Sequence, residues 1–484
     1  MRSERTIEAL QHMLRLELQR IGGSGRPRRP WLAGALGLAA AGAANTAALA
    51  QRVTENAVTS ADDAFGNSVG RETIGLYTSS SVRGFSAFAA GNARIDGLYF
   101  DPVWNPNPRI RLSTSIRVGL SAQGYPFPAP TGVVDHALKR PGAAAGLSAY
   151  ATVDTYGTAA LEIDGETALG ETLSVAGGFS LNRNAFYNAI EGVQHVEGLL
   201  ANWRPAPGVE IKPFWSRSDI YDDEFGPTYV PGGAYLPTRR SRRVFEGPQE
   251  PKYRSTAHLY GVQAEASPAP NWQMRTGIFR TAFDDRRTAT NLLLNLQPDG
   301  RADQVFIVDP PSKIASTSGE VRVSRQFTDG PRLHVVHLSL RGRDRRERYG
   351  GSDILNLGPT VVGDPVAPVE GPFDFGPQIF DEVRQWTGGL AYEGRWQGLG
   401  EISLGLQRTD YRKTIDQPGL PRVRSKASTW LYSLAGAAYL SEQFAIYAGY
   451  TRGLEESGVA PENAANRNEA LPAIRTRQRD AGVR

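Results

Sequence analysis

The residues that usually carry catalysis or hold metals are sparse and badly spaced in this sequence. Its six histidines are His12, His136, His195, His258, His334 and His337, and it has no cysteine. Without cysteine there is no thiol nucleophile, zinc ribbon, iron–sulfur ligation or disulfide scaffold. His334 and His337 are an odd number of residues apart. On a strand their rings point to opposite faces and cannot share a metal. The acidic run Asp222-Asp223-Glu224 falls in a loop-like stretch, where calcium or simple solvation explains it better than acid–base catalysis. No G-x-S-x-G, H-E-x-x-H or P-loop spacing occurs. The sequence predicts no catalytic residue, no metal and no cofactor, so binding or transport is the chemistry left to explain.

Composition points to the elements that would do the positioning. Hydrophobic residues make up 40% of the 484 residues. The mean hydropathy is −0.37. That is too polar for a bundle of membrane helices, and it suits a barrel in which only alternate residues face lipid. The 53 glycines and 32 prolines fit a chain of many strands and turns. A net charge of +4 is small for this length and makes no case for a nucleic-acid partner.

One segment reads as a targeting signal. Arg26, Arg28 and Arg29 precede an apolar run from Trp31 to Ala50, which ends Ala48-Leu49-Ala50 before Gln51. A basic n-region, an h-region and a small-x-small site make residues 26–50 a secretory signal peptide, with Gln51 as the mature N-terminus. A membrane helix is the competing reading, but glycine and alanine make a weak anchor. Residues 1–25 are an upstream extension, unstructured or a mis-assigned start, with Met13 as an alternative initiator.

Residues 51–142 are rich in glycine and small polar residues, with short apolar runs such as Arg94-Ile95-Asp96-Gly97-Leu98-Tyr99. They read as a small mixed α/β domain. From about Leu147 a period-2 alternation takes over and recurs to the end. Ile402, Leu404 and Leu406 oppose Glu401, Ser403, Gly405 and Gln407. Val336, Leu338 and Leu340 oppose His337, Ser339, Arg341 and Arg343. Val175, Phe179 and Leu181 oppose Ser174, Ser180 and Asn182, and Val321, Val323 and Phe327 oppose Glu320, Arg322, Ser324 and Gln326. On this reading Leu404 faces lipid, while Gln407 faces the lumen and tolerates a charge. Thirteen strands are expected near 147–155, 158–166, 172–182, 196–203, 209–217, 256–266, 272–283, 316–327, 332–343, 384–396, 400–411, 428–440 and 444–454, and a fourteenth begins at Thr476. Short turns (Pro205–Gly208, Ser267–Asn271, Thr328–Pro331, Gln397–Gly400, Ser441–Gln443) alternate with long loops (Ser218–Ser255, Asp284–Ala315, Asp344–Val383, Lys413–Lys426, Glu455–Ile474). That alternation is the rule for outer-membrane barrels. Trp215, Trp272, Trp396, Trp430, Tyr432, Tyr439 and Tyr447 stand near strand ends, as interfacial girdles require.

The short-run region supplies a resemblance. Val82-Arg83-Gly84-Phe85 followed by Gly91-Asn92-Ala93-Arg94-Ile95-Asp96-Gly97 resembles the core of the plug in TonB-dependent receptors. Ile116-Arg117-Val118, Thr131-Gly132-Val133-Val134-Asp135 and Lys139-Arg140-Pro141-Gly142 resemble the plug's closing segment. Ala445–Gly453 and Thr476–Gly482 are similar to consecutive barrel strands of that family. The resemblance covers most of 60–484. It implies a membrane all-β chain, with a small α/β plug at 51–142 followed by a partial antiparallel transmembrane β-barrel at 143–484, in the bacterial outer membrane.

The resemblance also implies partners and roles. The function would be active uptake of a scarce ligand, most of all a ferric siderophore, driven by a TonB-type energy-coupling protein. The alternatives are a passive substrate-specific porin, or a receptor of this kind for a different ligand. Glu55, Asn56, Ala57, Val58 and Thr59 are the candidate peptide for TonB, to be captured as an added strand. In the plug motif, Arg83, Gly84, Phe85, Asp96 and Gly97 would hold the plug fold. Arg83 would fork onto a wall carboxylate, and Gly84 and Gly97 would permit positive-φ turns. A small metal-chelate ligand would be met by Tyr99, Phe100, Trp104 and Phe127 from the plug. From a long loop it would be met by Tyr221, Tyr229, Tyr235, Arg239 and Arg240, joined by Arg242 and Arg243, since aromatics plus arginine suit a planar anionic chelate. The same arginines could equally be solvated or meet lipopolysaccharide, which with outer-membrane lipid is an expected partner. Family barrels close at about 22 strands, so the chain is expected to be incomplete by about eight of them.

Overall fold

The computed structural model describes residues 61–62, 81–82, 85–86, 88–117, 125–130, 132–236, 242–248, 252–364, 366, 368–441, 443–460, 464–466 and 469–483. The signal segment, Arg83, Gly84, the segment Glu55–Thr59, Arg239 and Arg240 lie outside them.

The short apolar runs of the first region make short strands. These are β1 (Ala61–Asp62), β2 (Ser81–Val82), β3 (Phe85–Ser86), β4 (Ala93–Ile95), β5 (Leu98–Tyr99), β6 (Arg111–Arg117) and β7 (Val133–Leu138). Five of them form a sheet in the order β1-β6-β7-β4-β5, and β2 pairs with β3. Among the described residues this region contains strands and no helix.

The alternating region forms the wall. Its strands are β8 (Gly146–Val153), β9 (Ala159–Ala168), β10 (Leu173–Ala185), β11 (Glu191–Ala206), β12 (Val209–Asp223), β13 (Pro227–Pro231), β14 (Tyr253–Ala266), β15 (Trp272–Leu296), β16 (Arg301–Asp309), β17 (Ser312–Asp329), β18 (Arg332–Tyr349), β19 (Asp353–Val361), β20 (Ile379–Trp396), β21 (Gly400–Asp416), β22 (Val423–Tyr439), β23 (Ala445–Glu455) and β24 (Ile474–Val483). All but β13, β16 and β19 make one antiparallel ladder of fourteen, in chain order. Each of the thirteen expected strand positions overlaps one of these, and the expected fourteenth falls in β24.

The strand order can be drawn as a ring that returns from β24 to β8. A residue-by-residue register joins every successive pair of the fourteen-strand ladder from β8 to β24, and none joins β24 to β8, so among the described residues the wall is an open curved ladder.

Three of the expected long loops contain strands. Strand β15 is 25 residues long. Its lower part pairs with β17 up to Asp285↔Ser312, and its upper part pairs with β16 from Thr288↔Asp309. With β13 parallel on one side and β19 beyond β16, the upper part makes a second sheet in the order β13-β15-β16-β19. It stands at the end where the long connections gather, beyond the roughly 10 residues a strand needs to cross lipid.

The faces follow the alternation. Leu404 is 39% exposed on the outer face, beside Leu406 and Leu434, while Gln407 is 5% exposed on the inner face. Its carbonyl oxygen accepts a hydrogen bond from Arg341 at 3.2 Å. Gln407 faces inward as expected, but it is packed beside the plug residues Asn92, Tyr99 and Pro128, so the expected tolerance of a charge there does not follow. Ile95, Leu98, Phe100, Ile110 and Leu138 of the plug share one buried cluster with Ala176, Leu200, Phe214, Leu259 and Phe279 of the wall. Phe100 meets Phe279 edge-on, with centroids 5.8 Å apart. The plug thus completes its apolar core on the wall's inner face.

Candidate functional site

The seat begins at a turn. In Ile95-Asp96-Gly97-Leu98, which joins β4 to β5, both central residues have positive φ (48° and 77°), the geometry of a type I′ hairpin. The turn pushes its tip against four wall strands. One Asp96 carboxylate oxygen pairs with Lys212 Nζ of β12 at 2.7 Å, and the other accepts the Leu138 N–H at 3.1 Å. The Asp96 carbonyl accepts from Arg275 of β15, and the Gly97 carbonyl from Arg322 of β17 at 3.0 Å. Gln263 of β14 donates to the Ile95 carbonyl at 3.1 Å. Within the plug the Gly97 N–H donates to Asp135 at 2.9 Å. Burial pushes the Asp135 carboxyl above the usual range, against the pull of its hydrogen bonds from Tyr125 and Gly97.

Tyr99 follows. Its N–H donates to Glu320 of β17 at 2.8 Å, and Glu320 pairs with Arg322 at 2.7 Å. Its ring lies between two guanidiniums, Arg94 at 5.5 Å and Arg341 at 5.0 Å. Burial pushes its phenol up to about 12. Beside the ring a cavity of about 20 Å³ is lined by Asn92, Pro128, Arg341, Gln385 and Gln407. That is room for about one water.

A chain of charges then links plug, wall and outer loop. Asp101 of the plug accepts from the Ser316 hydroxyl at 2.7 Å, pairs with Arg343 at 2.8 Å, and donates its backbone N–H to the Ser318 hydroxyl at 2.9 Å. Arg343 also pairs with Glu456 at 3.0 Å, just beyond β23. Glu456 meets Lys413 at 3.1 Å, and Lys413 meets Asp381 at 3.0 Å. The Glu456 N–H donates to the plug carbonyl of Ala89 at 2.9 Å. Burial alone would raise the Glu456 carboxyl, but Arg343, Lys413 and Arg345 outweigh it and hold it at about 2.

This depressed value fixes a sign. The stability Glu456 contributes is fully present above its unfolded value near 4.5 and is lost as pH falls toward about 2. Protease accessibility of the plug, measured from pH 6 down to pH 2.5, is expected to rise below about pH 4.5. In Glu456→Gln this acid step should shrink. An unchanged profile in that variant would count against the linkage.

On the opposite side Arg109 reaches Glu162 and Asp164 of β9, each at 2.5 Å, and Lys139 reaches Asp164 at 3.1 Å. Arg109 thus makes a plug-to-wall arginine fork of the kind expected of Arg83, which lies outside the described residues, and Phe85 lies in β3.

The expected ligand residues separate. Tyr99 and Phe100 are buried in the seat, and Phe127 is buried against Gly389 and Gly405 of the wall. Phe100 and Phe127, expected as ligand contacts, therefore present no open ring face here. Trp104 stacks on Phe283 at 5.2 Å. Tyr221 ends β12. The Tyr229 hydroxyl donates to Glu246, and the Tyr235 hydroxyl donates to the Leu296 carbonyl at 2.7 Å. Arg243 donates to the Thr155 carbonyl at 2.7 Å. The structure does not bring the plug and loop aromatics into one pocket.

Sequence reasoning missed Asp101, Arg109, Lys212, Arg343 and Glu456. The signal available for Lys212 and Arg343 was a charge on the inward face of an alternating strand, but no pattern names its partner. One group has the geometry for metal ligation among the described residues: His195, Glu197 and Asp219 on the outer wall face, with ligand atoms within 4.8 Å of one another. Asp219 is already held by Arg217 at 2.6 Å and Thr256 at 2.7 Å.

No protein-family model and no curated protein matches this sequence. Solved structures do. The chain is similar to the ferric preacinetobactin receptor BauA of Acinetobacter baumannii, at 15% identity and a TM-score of 0.65 over 83% of this chain and 61% of that one. It is similar to the ferric-catecholate import receptor Fiu of E. coli K12, at 12% identity and 0.67 over 84% and 64%. It is also similar to the pyoverdine outer-membrane receptor FpvA of Pseudomonas aeruginosa, at 14% identity and 0.65 over 83% and 60%. The chain spans about three-fifths of the length of these receptors. At these identities the likeness establishes the fold.

Proposed function

We propose that this chain is part of an outer-membrane receptor that takes up a ferric siderophore through TonB-coupled release of its plug. It has the plug-in-barrel fold of the siderophore receptors it resembles. The observation that carries the reading is the seat. The plug shares its core with the wall and is held by the pairs Asp96–Lys212, Asp101–Arg343 and Arg109–Glu162/Asp164. Such a plug blocks free diffusion, so passage requires work from outside, and the outer membrane has no nucleotide triphosphate to supply it. Charge pairs suit a reversible seat, since each requires a precise geometry and exchanges for water once the plug moves. The segment Glu55–Thr59 is the proposed TonB contact. A passive porin is the weaker reading, because it gives no role to a filled lumen.

The test is uptake of radiolabelled ferric siderophores by iron-starved cells with and without the gene that carries this chain, in TonB-competent and TonB-deficient backgrounds. Gene-dependent and TonB-dependent accumulation is the expected result. Accumulation independent of TonB would return the porin reading.

A further inference from the structure

We propose that the outer sheet carries a binding pocket of its own, separate from the plug, for a small aromatic carboxylate. Strand β15 leaves the wall ladder at Asp285 and enters the outer sheet at Thr288. Between these points its pairing with β14 skips a residue, from Ser255↔Asp285 to Arg254↔Arg287, so Arg286 is the extra residue of a β-bulge. Bulges re-aim side chains and recur beside functional sites. Here the bulge brings the consecutive Arg286 and Arg287 both into the lining of a cavity of about 370 Å³. That volume falls within the range of small-molecule sites. Both arginines are exposed, and neither makes an ion pair among the described residues.

Apart from its charged groups the cavity is lined by apolar residues and glycine. Val308 and Val369 are buried in it, and Phe373 and Phe375 form an aromatic wall with centroids 5.8 Å apart. The segment carrying those rings is pinned at three points. The Asp374 N–H donates to Asp353 at 2.8 Å, the Gly376 N–H to the Gly351 carbonyl at 3.0 Å, and Gln378 to the Pro311 carbonyl at 3.0 Å. A preformed wall saves the ordering cost of binding.

The ligand class follows from these groups. Two phenyl rings take a flat ring, and two free guanidiniums take a planar carboxylate as a fork. Two carboxyl groups also line the cavity. Asp309 is held by the Ser352 hydroxyl, and Glu370 is exposed. They make the pocket close to neutral in total and disfavour polyanions, which selects one ring with one acid group. This assignment does not depend on the uptake reading.

The probe is anthranilate, a fluorescent aromatic carboxylate, titrated into the whole chain in detergent micelles with folding monitored by circular dichroism. Saturable binding is expected. Aniline, which lacks the carboxylate, and acetate, which lacks the ring, should bind at least about tenfold more weakly. The double variant Arg286→Gln, Arg287→Gln should raise the Kd by at least about tenfold. Both positions are exposed, so its dichroism should be unchanged. Phe373→Ala tests the ring contact where its dichroism is unchanged; otherwise the arginine variant decides. Absence of saturable binding by the unaltered folded chain would overturn the proposal. So would an unchanged Kd in the arginine variant, or aniline binding as tightly as anthranilate.

Discussion

Replacing Arg343 by methionine is expected to destabilise the seated plug by about 3–5 kcal/mol, the cost of breaking a buried pair from one side. The Arg343 and Asp101 side chains are 2% and 1% exposed, and Arg343 also serves Glu456. Methionine keeps most of the volume and leaves two carboxylates without their common partner. Urea unfolding in detergent, followed by protease sensitivity of the plug, measures the loss. The control is the double variant with Asp101→Asn, which removes the stranded charge and should recover part of it. A loss below about 1 kcal/mol would place the pair in solvent-like surroundings. A double variant as unstable as the sum of the singles would show that Asp101 and Arg343 do not interact.

Leu404→Arg is the second large effect. Leu404 points outward between Tyr392 and Leu434, its register partners on β20 and β22. A charge there should cost roughly 2–4 kcal/mol if the residue lies near the bilayer midplane. Refolding yield into lipid vesicles measures it, with Leu404→Ile as the mild control. The inward neighbour gives the contrast. Because Gln407 is buried under the plug beside Arg341, Gln407→Arg should also be costly, through like-charge crowding and overpacking. The two costs differ in kind: the Leu404 variant should fail to insert, whereas the Gln407 variant should insert with a loosened plug. If both variants inserted equally well with tight plugs, the assignment of faces would be wrong.

How much of this was legible beforehand depended on the range of the interaction. Alternation along a strand is local. The outward direction of Val336, Leu338, Leu340, Leu404 and Leu406, and the inward direction of Glu320, Arg322 and Ser339, could be read residue by residue because successive side chains must point to opposite faces. The short turns were legible for the same reason. The hairpin turn at Asp96-Gly97 was partly legible, since glycine marked a positive φ, but the positive φ at Asp96 was not anticipated.

The upper half of β15 and the upper ends of β17, β18 and β20 were missed. Their polar composition reads as loop, and only pairing with strands distant in sequence makes them a sheet. Asn291 faces Phe306, which in turn faces Leu355 on β19. The core of the plug was not legible either, because it is finished by Phe214, Leu259 and Phe279, residues of three wall strands that follow the plug in the chain.

The sequence by itself thus determined the wall: an alternating, glycine-punctuated chain with no catalytic constellation, whose strand faces follow from the period of the backbone. The tertiary structure alone decided the site. The partners Asp96–Lys212, Asp101–Arg343–Glu456 and Arg109–Glu162/Asp164 join residues 53 to 242 positions apart in the chain. A charge in the sequence states that a partner is needed once it is buried, but only the path of the folded backbone says which one is within reach.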